Sequence, residues 1–398
     1  MSYRAGPCSV DPLPVPPPKW PGIEADEEAD RWRPGWEQDR SIGAYRGDRI
    51  VGSTGAYTFE MTVPGGASVP ACGVTAVTVQ PSARRRGVLT AMMDLQHDQV
   101  AERGEPLLIL YASESNIYGR FGYGIGTSSL SIEVPTDRGR FRRRFADTGF
   151  VDEVTADEAQ KAFPAVHDAV VPVRPGFLAR SEVFWDRRFH DDKGERGGQS
   201  AYFFAVHSDR EGAVDGTVLF RRQGNQLSVR ELLATTPEAT AGLWRYILDI
   251  DLIATVSARN RPIDEPLRWL LDEPRRMSLT ALTDGLWVRV LDIPAALSAR
   301  RYEVAGSLTF AVDDPFRPDN SGTYRMEGGP DGATCERLSR GDADIALGVD
   351  DLGSTYLGGG SFSSLVAAGR ATEHTPGGAA RADRMFRTAV APWSITGF

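Results

Sequence analysis

The sequence predicts a multidomain protein of mixed α+β and α/β class. Three observations carry that prediction. At 398 residues the chain is long enough for two or three domains. Around Val77–Leu89 an apolar strand runs through a basic loop into an amphipathic helix. Beyond Asp292 the composition shifts to short strands separated by glycine- and aspartate-rich turns, as expected of a different unit.

Composition narrows the function. Hydrophobic residues make up 41% and charged residues 25%, as in a soluble globular protein. A net charge of −9 weighs against general nucleic-acid binding and suits a cationic substrate. The three cysteines, Cys8, Cys72 and Cys335, are odd in number and far apart. They imply neither a disulfide framework nor a zinc ribbon, so a reducing, cytoplasmic setting is expected. The five histidines are dispersed without ligand spacing, so no metal site is expected. No apolar run approaches the ~18–20 residues that span a bilayer. The N-terminus lacks the charged-then-apolar pattern of a signal peptide.

The elements follow in order. Residues 1–22 carry Pro12, Pro14, Pro16, Pro17 and Pro18, which forbid a regular helix and favour an extended arm. Glu24–Trp36 is acidic and then Trp-bearing, and reads as a helix stopped at Pro34-Gly35. Ser41–Tyr45 and Arg49–Tyr57 alternate about Gly47-Asp48, which predicts a hairpin. Val74–Val79 is the next strand. A helix from Val88 follows, with Val88, Leu89, Met92, Met93, Leu95 and Val100 near one face. Pro106–Tyr111 reads as a buried strand, Asn116–Phe121 as a short helix or turn, and Ser128–Val134 as a strand. The basic run Arg138, Arg140, Arg142, Arg143, Arg144 reads as a solvated linker face or subunit contact rather than a nucleic-acid arm.

Gln226–Leu233 and the helix Pro237–Ile250 repeat the strand-then-helix order, without an Arg-x-x-Gly turn, as in a degenerate second copy of the first domain. Leu308–Val312, Gly322–Glu327 and Ala343–Gly348 read as strands; Asp350–Tyr356 and Ser363–Ala368 read as helices on either side of Gly358-Gly359-Gly360. Nothing there matches a Walker loop. Gly122, Gly124 and Gly126 follow no long strand and open no long helix, so they make no dinucleotide fingerprint.

The chemistry begins at the basic loop. A helix opening at Gly87 aims its unpaired N–H groups and positive dipole end into the loop. Arg84, Arg85 and Arg86 add charge, and the result suits a phosphorylated ligand. A Cβ at Gly87 would hold the backbone away from a phosphate. The pattern Arg-x-x-Gly-x-small, with Leu89 in its final position, resembles the pyrophosphate loop of GNAT acetyltransferases, which binds the diphosphate of acetyl-CoA. Acyl transfer to an amine also needs a polarised carbonyl, a base for the amine and an acid for the thiolate. The edge of Val74–Val79 offers backbone N–H groups if it splays from Pro106–Tyr111. Tyr111, Tyr118 and Tyr123 are the nearby acids. Neither a cysteine nor a serine elbow is placed as a nucleophile, so attack on the thioester is expected to be direct.

The segment Ala112-Ser113-Glu114-Ser115-Asn116-Ile117-Tyr118-Gly119-Arg120-Phe121-Gly122-Tyr123-Gly124 resembles the signature of the enhanced intracellular survival (Eis) type acetyltransferases. The resemblance continues through Asp284–Val290, Asp292–Leu297, Leu352–Gly359 and the terminal phenylalanine, and so covers the chain from about Glu27 onward. It implies a GNAT domain over 23–150, a central GNAT-like domain over 151–290 and a sterol-carrier-protein-like α+β domain over 291–398. It places CoA contacts on Val77, Thr78, Val79, Arg85, Arg86, Gly87, Val88, Leu89, Thr90, Ser113 and Glu114. Its general acid falls on Tyr118 and its general base on the C-terminal carboxylate of Phe398. It further implies hexamers and acetylation of aminoglycoside amines. The chain departs from the family where a GNAT domain ordinarily opens with a strand and helix, for which Met1–Gly22 offers neither. Glu24, Asp26, Trp32 and Trp36 are candidates to line the amine pocket. The expected activity is acetyl-CoA-dependent N-acetylation of a polycationic small molecule or peptide. The alternatives are a protein lysine acetyltransferase and a non-catalytic protein that binds an apolar ligand in its C-terminal domain.

Overall fold

The computed structural model of the chain describes residues 9–12, 35–142 and 149–398. They form two compact units. The first takes residues up to Gly126, then Leu286–Thr388 and Gly397–Phe398; the second takes Thr127–Gly285 and Ala389–Thr396.

The first unit begins with strands β1 (Ser9–Pro12), β2 (Ile42–Arg46), β3 (Arg49–Thr62) and β4 (Ser68–Val79), each antiparallel to the next. β1 corrects the expectation that the proline-rich arm holds no strand. It pairs with β2 from Ser9–Tyr45 to Pro12–Ile42. It is an edge strand that ends on a proline, a place where the missing N–H breaks no interior ladder. The β2–β3 hairpin turns at Gly47, whose φ of +60° favours glycine. Helix α1 (Val88–Glu102) lies between β4 and the parallel strand β5 (Leu107–Tyr111). Val88 and Met92 pack on Ile42, Ala44 and Val51, while Met93 and Val100 pack on Ala56, Val74 and Leu108. Each such side chain contributes roughly 1.5–3 kcal/mol by burial. Gln96 and His97 share that buried face, which apolar periodicity alone does not reveal. A four-residue helix α2 (Ser115–Tyr118) and the short strand β6 (Gly124–Ile125) follow.

The second unit is a seven-stranded sheet. In chain order its strands are β7 (Ser128–Pro135), β8 (Phe150–Val154), β9 (Phe203–Ser208), β10 (Val214–Gln223), β11 (Gln226–Ala234), β12 (Thr255–Pro262) and β13 (Ser278–Asp284). In space the order is β13-β7-β12-β11-β10-β9-β8. Its helices are α3 (Ala156–Val170), α4 (Glu182–Phe189), α5 (Pro237–Leu248) and α6 (Leu267–Leu270). A reciprocal cap starts α3: Glu158 N donates to Thr155 Oγ1 at 3.3 Å, and Thr155 N donates to Glu158 Oε2 at 2.8 Å. Pro237 opens α5 behind the Thr236 cap. Trp244, Leu243 and Ile247 of α5 pack on Val218, Phe220 and Leu227. β10, β11, α5 and β12 thus repeat the order of β3, β4, α1 and β5, with β11 and β12 parallel.

The remaining strand of the first sheet is β14 (Leu286–Val290), antiparallel to β5 from Leu286–Tyr111 to Val290–Leu107 and bonded to β6 beyond. The sheets therefore cross the expected domain limits. β7, assigned from sequence to the first domain, is in the second sheet, and β14, assigned to the second, is in the first. All five residues of β14 are buried, so it needs a central position, and the open flank of β5 supplies one. The C-terminal part of this unit has a sheet of order β17-β16-β15-β18-β19, comprising β15 (Gly306–Asp313), β16 (Gly322–Gly329), β17 (Gly332–Leu338), β18 (Ile345–Gly348) and β19 (Ala371–Glu373). Helices α7 (Ile293–Ala299), α8 (Val349–Tyr356), α9 (Phe362–Ala367) and α10 (Gly378–Phe386) cover it. β17 is absent from the sequence expectations because its exposed, mixed residues carry little apolar signal.

Two buried arginines hold this unit. Arg300 is fully buried; it donates to Phe386 O at 2.9 Å and to Tyr356 O, the last carbonyls of α10 and α8. Those helix ends carry partial negative charge, and the Phe386 ring lies 4.3 Å away. Arg289 of β14 pairs with Asp314, just past β15, and both are fully buried. Asp314→Ala should cost about 3–5 kcal/mol in urea unfolding, because it strands a buried charge. Replacing both partners, as Arg289→Met with Asp314→Leu, should recover most of that loss. A double variant no more stable than the single would show that the pair is not the source of the penalty.

Candidate active site

A cavity of about 860 Å³ opens along β4 and the start of α1. Val77, Thr78 and Val79 form one wall; Arg85, Gly87, Val88, Leu89 and Thr90 form its end; Ser113, Glu114 and Tyr118 lie opposite. Of the expected CoA contacts, only Arg86 does not line it. The sequence reading did not count Arg120 or the β3 residues Gly52 and Ser53, which also face the cavity. Arg120 was legible as part of the Tyr118 segment, whereas the β3 residues arrive only through strand pairing.

The end wall is a helix start with free donors. Gly87 caps α1 without a side-chain bond, so the first backbone N–H groups of a 15-residue helix face the loop. The loop turns left-handed at Arg85 (φ +58°) and at Gly87 (φ +81°). Within the protein a Cβ at Gly87 would meet nothing within 4 Å. The glycine therefore answers to its positive φ, and the space beside it is open. Arg84, Arg85 and Arg86 are all exposed there.

The side wall is a fork between two strands. β4 and β5 pair in parallel only at Ala71–Leu107, Cys72–Leu108 and Gly73–Ile109. Past Gly73 the β5-facing edge of β4 has no strand partner among the described residues, so its backbone groups face the cleft. A bulge opposite Ser53–Gly55 turns β4 there, with Ala76 at φ +54°. Ser53 Oγ and Thr78 Oγ1 share a hydrogen bond of 3.1 Å behind that edge.

Tyr118 ends α2 and is 6% exposed, its ring edge-on to Tyr123 at 6.0 Å. Burial pushes its phenol above the usual tyrosine range, so it stays protonated at neutral pH. Phe398 does not line the cavity. It sits instead at the root of the fork, with its ring 4.8 Å from Phe59 and 5.3 Å from Tyr111, the last residue of β5. A Cβ on Gly73 would come 3.1 Å from the Phe398 ring. Trp36 is half-buried; it lies over Gly55 and meets Tyr57 at 6.0 Å. Gly55, Tyr57 and Phe59 alternate on one face of β3, so an aromatic row runs from Trp36 through Tyr57 and Phe59 to Phe398 and Tyr111. Tyr57 and Phe59 went unread in the sequence, although their period of two was visible. Glu24, Asp26 and Trp32 lie outside the described residues. Among the described residues no group of three His, Cys, Asp or Glu is placed to hold a metal ion, and no helix is long and apolar enough to cross a membrane.

Comparison with known proteins identifies the family. Models of the acetyltransferase (GNAT) domain match residues 16–126 and 176–290, and a sterol carrier protein domain matches 293–395. An N-acetyltransferase of Streptomyces avermitilis is 44% identical, over 94% of this chain and 93% of its own. The N-acetyltransferase Eis of Mycobacterium tuberculosis is 34% identical, over 86% of each chain. The crystal structure of Eis1 from Mycobacterium abscessus superposes with a TM-score of 0.83 at 32% identity, covering 95% of this chain and 94% of that one. GNAT domains use acetyl-CoA as acetyl donor. The chain belongs to the Eis-type GNAT N-acetyltransferases, with two acetyltransferase domains followed by a sterol carrier protein domain.

Proposed function

We propose that this enzyme transfers acetyl from acetyl-CoA directly to a primary amine of a polycationic small molecule or peptide, with the Phe398 carboxylate as base and Tyr118 as acid. One observation carries the reading: the last residue of the chain is seated where β4 and β5 part. The N-terminus of α1 and the arginine loop hold the CoA diphosphate, and the free edge at Val77–Val79 receives the pantetheine arm as a strand would. The thioester then lies at the fork, where backbone N–H groups polarise its carbonyl. The terminal carboxylate is ionised at neutral pH and takes a proton from the incoming ammonium. The freed amine attacks the carbonyl carbon, the C–S bond breaks, the Tyr118 hydroxyl protonates the departing thiolate, and the proton that the acylated nitrogen sheds restores the phenol.

The choice of a cation follows from what lines the approach. Half-buried Trp36, Tyr111 and Phe398 present aromatic surface to an ammonium group, which contributes about 0.5–2 kcal/mol per cation–π contact. The net charge of −9 favours encounter with a polycation. A lysine side chain offers the same amine, and a panel of amines assayed for thiol release separates the two substrate classes. In the C-terminal domain Phe310, Phe362 and Phe386 pack on one another with ring centroids 4.9–5.9 Å apart, next to the buried Arg300.

Tyr118→Phe should lower kcat by about 10²–10⁴-fold, with acetyl-CoA affinity unchanged by calorimetry. The acid role needs the protonated phenol. The wild-type rate should therefore fall only as pH rises through a value above the ordinary tyrosine pKa of about 10, and that limb should be missing in the variant. Appending a few residues after Phe398 should abolish turnover while acetyl-CoA still binds. Full turnover by the extended protein would remove the terminal carboxylate from the mechanism.

A further inference from the structure

Tyr118 sits on a segment that cannot hold itself. It ends α2, a helix of four residues with no side-chain cap, and a single helical turn has no stability of its own. A second short turn follows over Gly119–Phe121, closed by Gly122 at φ +83°. Tyr123 then returns to Tyr118 twice. Its N–H donates to Tyr118 O at 3.3 Å, and its ring meets the Tyr118 ring edge-on at 6.0 Å. The groups that fix Phe121 and Tyr123 therefore fix Tyr118.

The fully buried Tyr123 has its hydroxyl 3.4 Å from His97 Nε2 of α1. Burial above all pushes that phenol well above the usual tyrosine range, so it keeps its proton. Burial, and then the charges of Arg289 and Arg317, hold His97 well below the usual histidine range, so its ring is neutral. A protonated phenol beside a neutral imidazole makes Tyr123 the donor and Nε2 the acceptor. Phe316 stands edge-on to His97, with ring centroids 5.2 Å apart. The same Phe316 ring meets Phe121 edge-on at 5.0 Å. A single side chain thus supports both residues that flank Gly122.

Phe316 comes from the sterol carrier protein domain, in the connection between β15 and β16, and all of these residues lie within the first unit. Asp314 shapes that connection. One of its carboxylate oxygens accepts from Arg317 N at 3.1 Å; the other accepts from Asn320 Nδ2 at 3.0 Å and from Arg289 of β14. Arg289 also lies against Gly122, where any Cβ would overlap Nη1. Arg317 Nη1 donates at 2.7 Å to Asp98 Oδ1, one residue beyond His97 on α1. The turn is tied to β14 through Asp314 and to α1 through Arg317, and Phe316 stands between the two ties.

We propose that the Asp314–Arg317 turn is a positioning element for the general acid, with Phe316 and His97 acting on Tyr118 through Phe121 and Tyr123. The proposal rests on the reading of Tyr118 as acid. It gives the sterol carrier protein domain a part in acetyl transfer that requires no ligand in that domain. The phenol must meet the departing sulfur within hydrogen-bond reach. A misplacement of about 1 Å in such a group costs on the order of 10²-fold in rate.

The test uses the full chain with Phe316→Ala, which removes the ring, and Tyr123→Phe, which keeps the packing and removes the hydrogen bond to His97. Each is made alone and together with Tyr118→Phe. The readouts are kcat and KM for the fastest amine of the panel above, and acetyl-CoA affinity by calorimetry. Positioning predicts kcat lowered about 10–100-fold in Phe316→Ala and by a smaller factor in Tyr123→Phe, with KM and acetyl-CoA affinity unchanged. In the Tyr118→Phe background neither change should lower kcat further, because the group they position is gone. A general structural role lowers kcat by the same factor in both backgrounds, and that result overturns the proposal. Wild-type kcat in both single variants overturns it as well, and leaves the acid reading standing if Tyr118→Phe is slow. Full kcat in Tyr118→Phe removes the acid itself, and the positioning role falls with it. If Phe316→Ala does not fold, Tyr123→Phe decides by the same comparison.

Discussion

The proposed chemistry of this protein depends on the early parting of two parallel strands. β4 and β5 share three residue pairs and then separate, because β4 bulges at Ala76 and runs on toward the loop that starts α1. Backbone groups that a complete sheet would satisfy are left facing a cleft. The helix that crosses between the strands brings its own unpaired amides to the far end of that cleft. A single topological choice thus puts an uncapped helix start, an unpaired strand edge and a fork along one cleft, the three features that the proposed acetyl transfer uses.

In the second unit β11 and β12 pair in parallel from Gln226–Thr255 to Val229–Ala258 and then part, and this fork meets a different sequence. Between β11 and α5 lie only Thr235 and Thr236, without arginine or glycine. Thr236 also caps the helix, its Oγ1 accepting from Ala239 N at 3.1 Å. This copy of the fold keeps the fork but opens its helix behind a threonine cap instead of an arginine- and glycine-bearing loop. Beside the fork Asn260 Nδ2 donates to Ser394 O at 3.2 Å and Arg180 Nε to Thr396 Oγ1 at 3.1 Å, so a segment of the same chain lies against it.

Buried arginine is the recurring means of fixing position. Arg289, Arg300 and Arg180 are each nearly or wholly withdrawn from solvent. Their partners differ: a carboxylate for Arg289, helix-terminal carbonyls for Arg300, and a carboxylate plus tail oxygens for Arg180. A planar guanidinium can bridge several acceptors in fixed directions. Such sites add little net stability relative to apolar packing but penalise any displacement of their partners.

Local pattern was enough to reveal the strand, loop and helix at Val77–Leu89, the Tyr118 segment and the apolar terminus at Phe398. Each announces itself by residues adjacent in the chain, whose periodicity and turn chemistry are set by short-range sterics. Strand partners were not legible. β1 formed from residues whose prolines argued for an irregular arm, β7 and β14 crossed the expected domain limits, and Tyr57 and Phe59 joined Trp36 and Phe398 only through cross-strand register. The anchoring of Thr396 by Arg180 spans 216 residues, a separation over which no local propensity acts. The sequence by itself determined which groups stand as candidates for acetyl transfer. Tertiary structure decided which strand closes which sheet and where the chain's end comes to rest, because those outcomes depend on burying distant surfaces together.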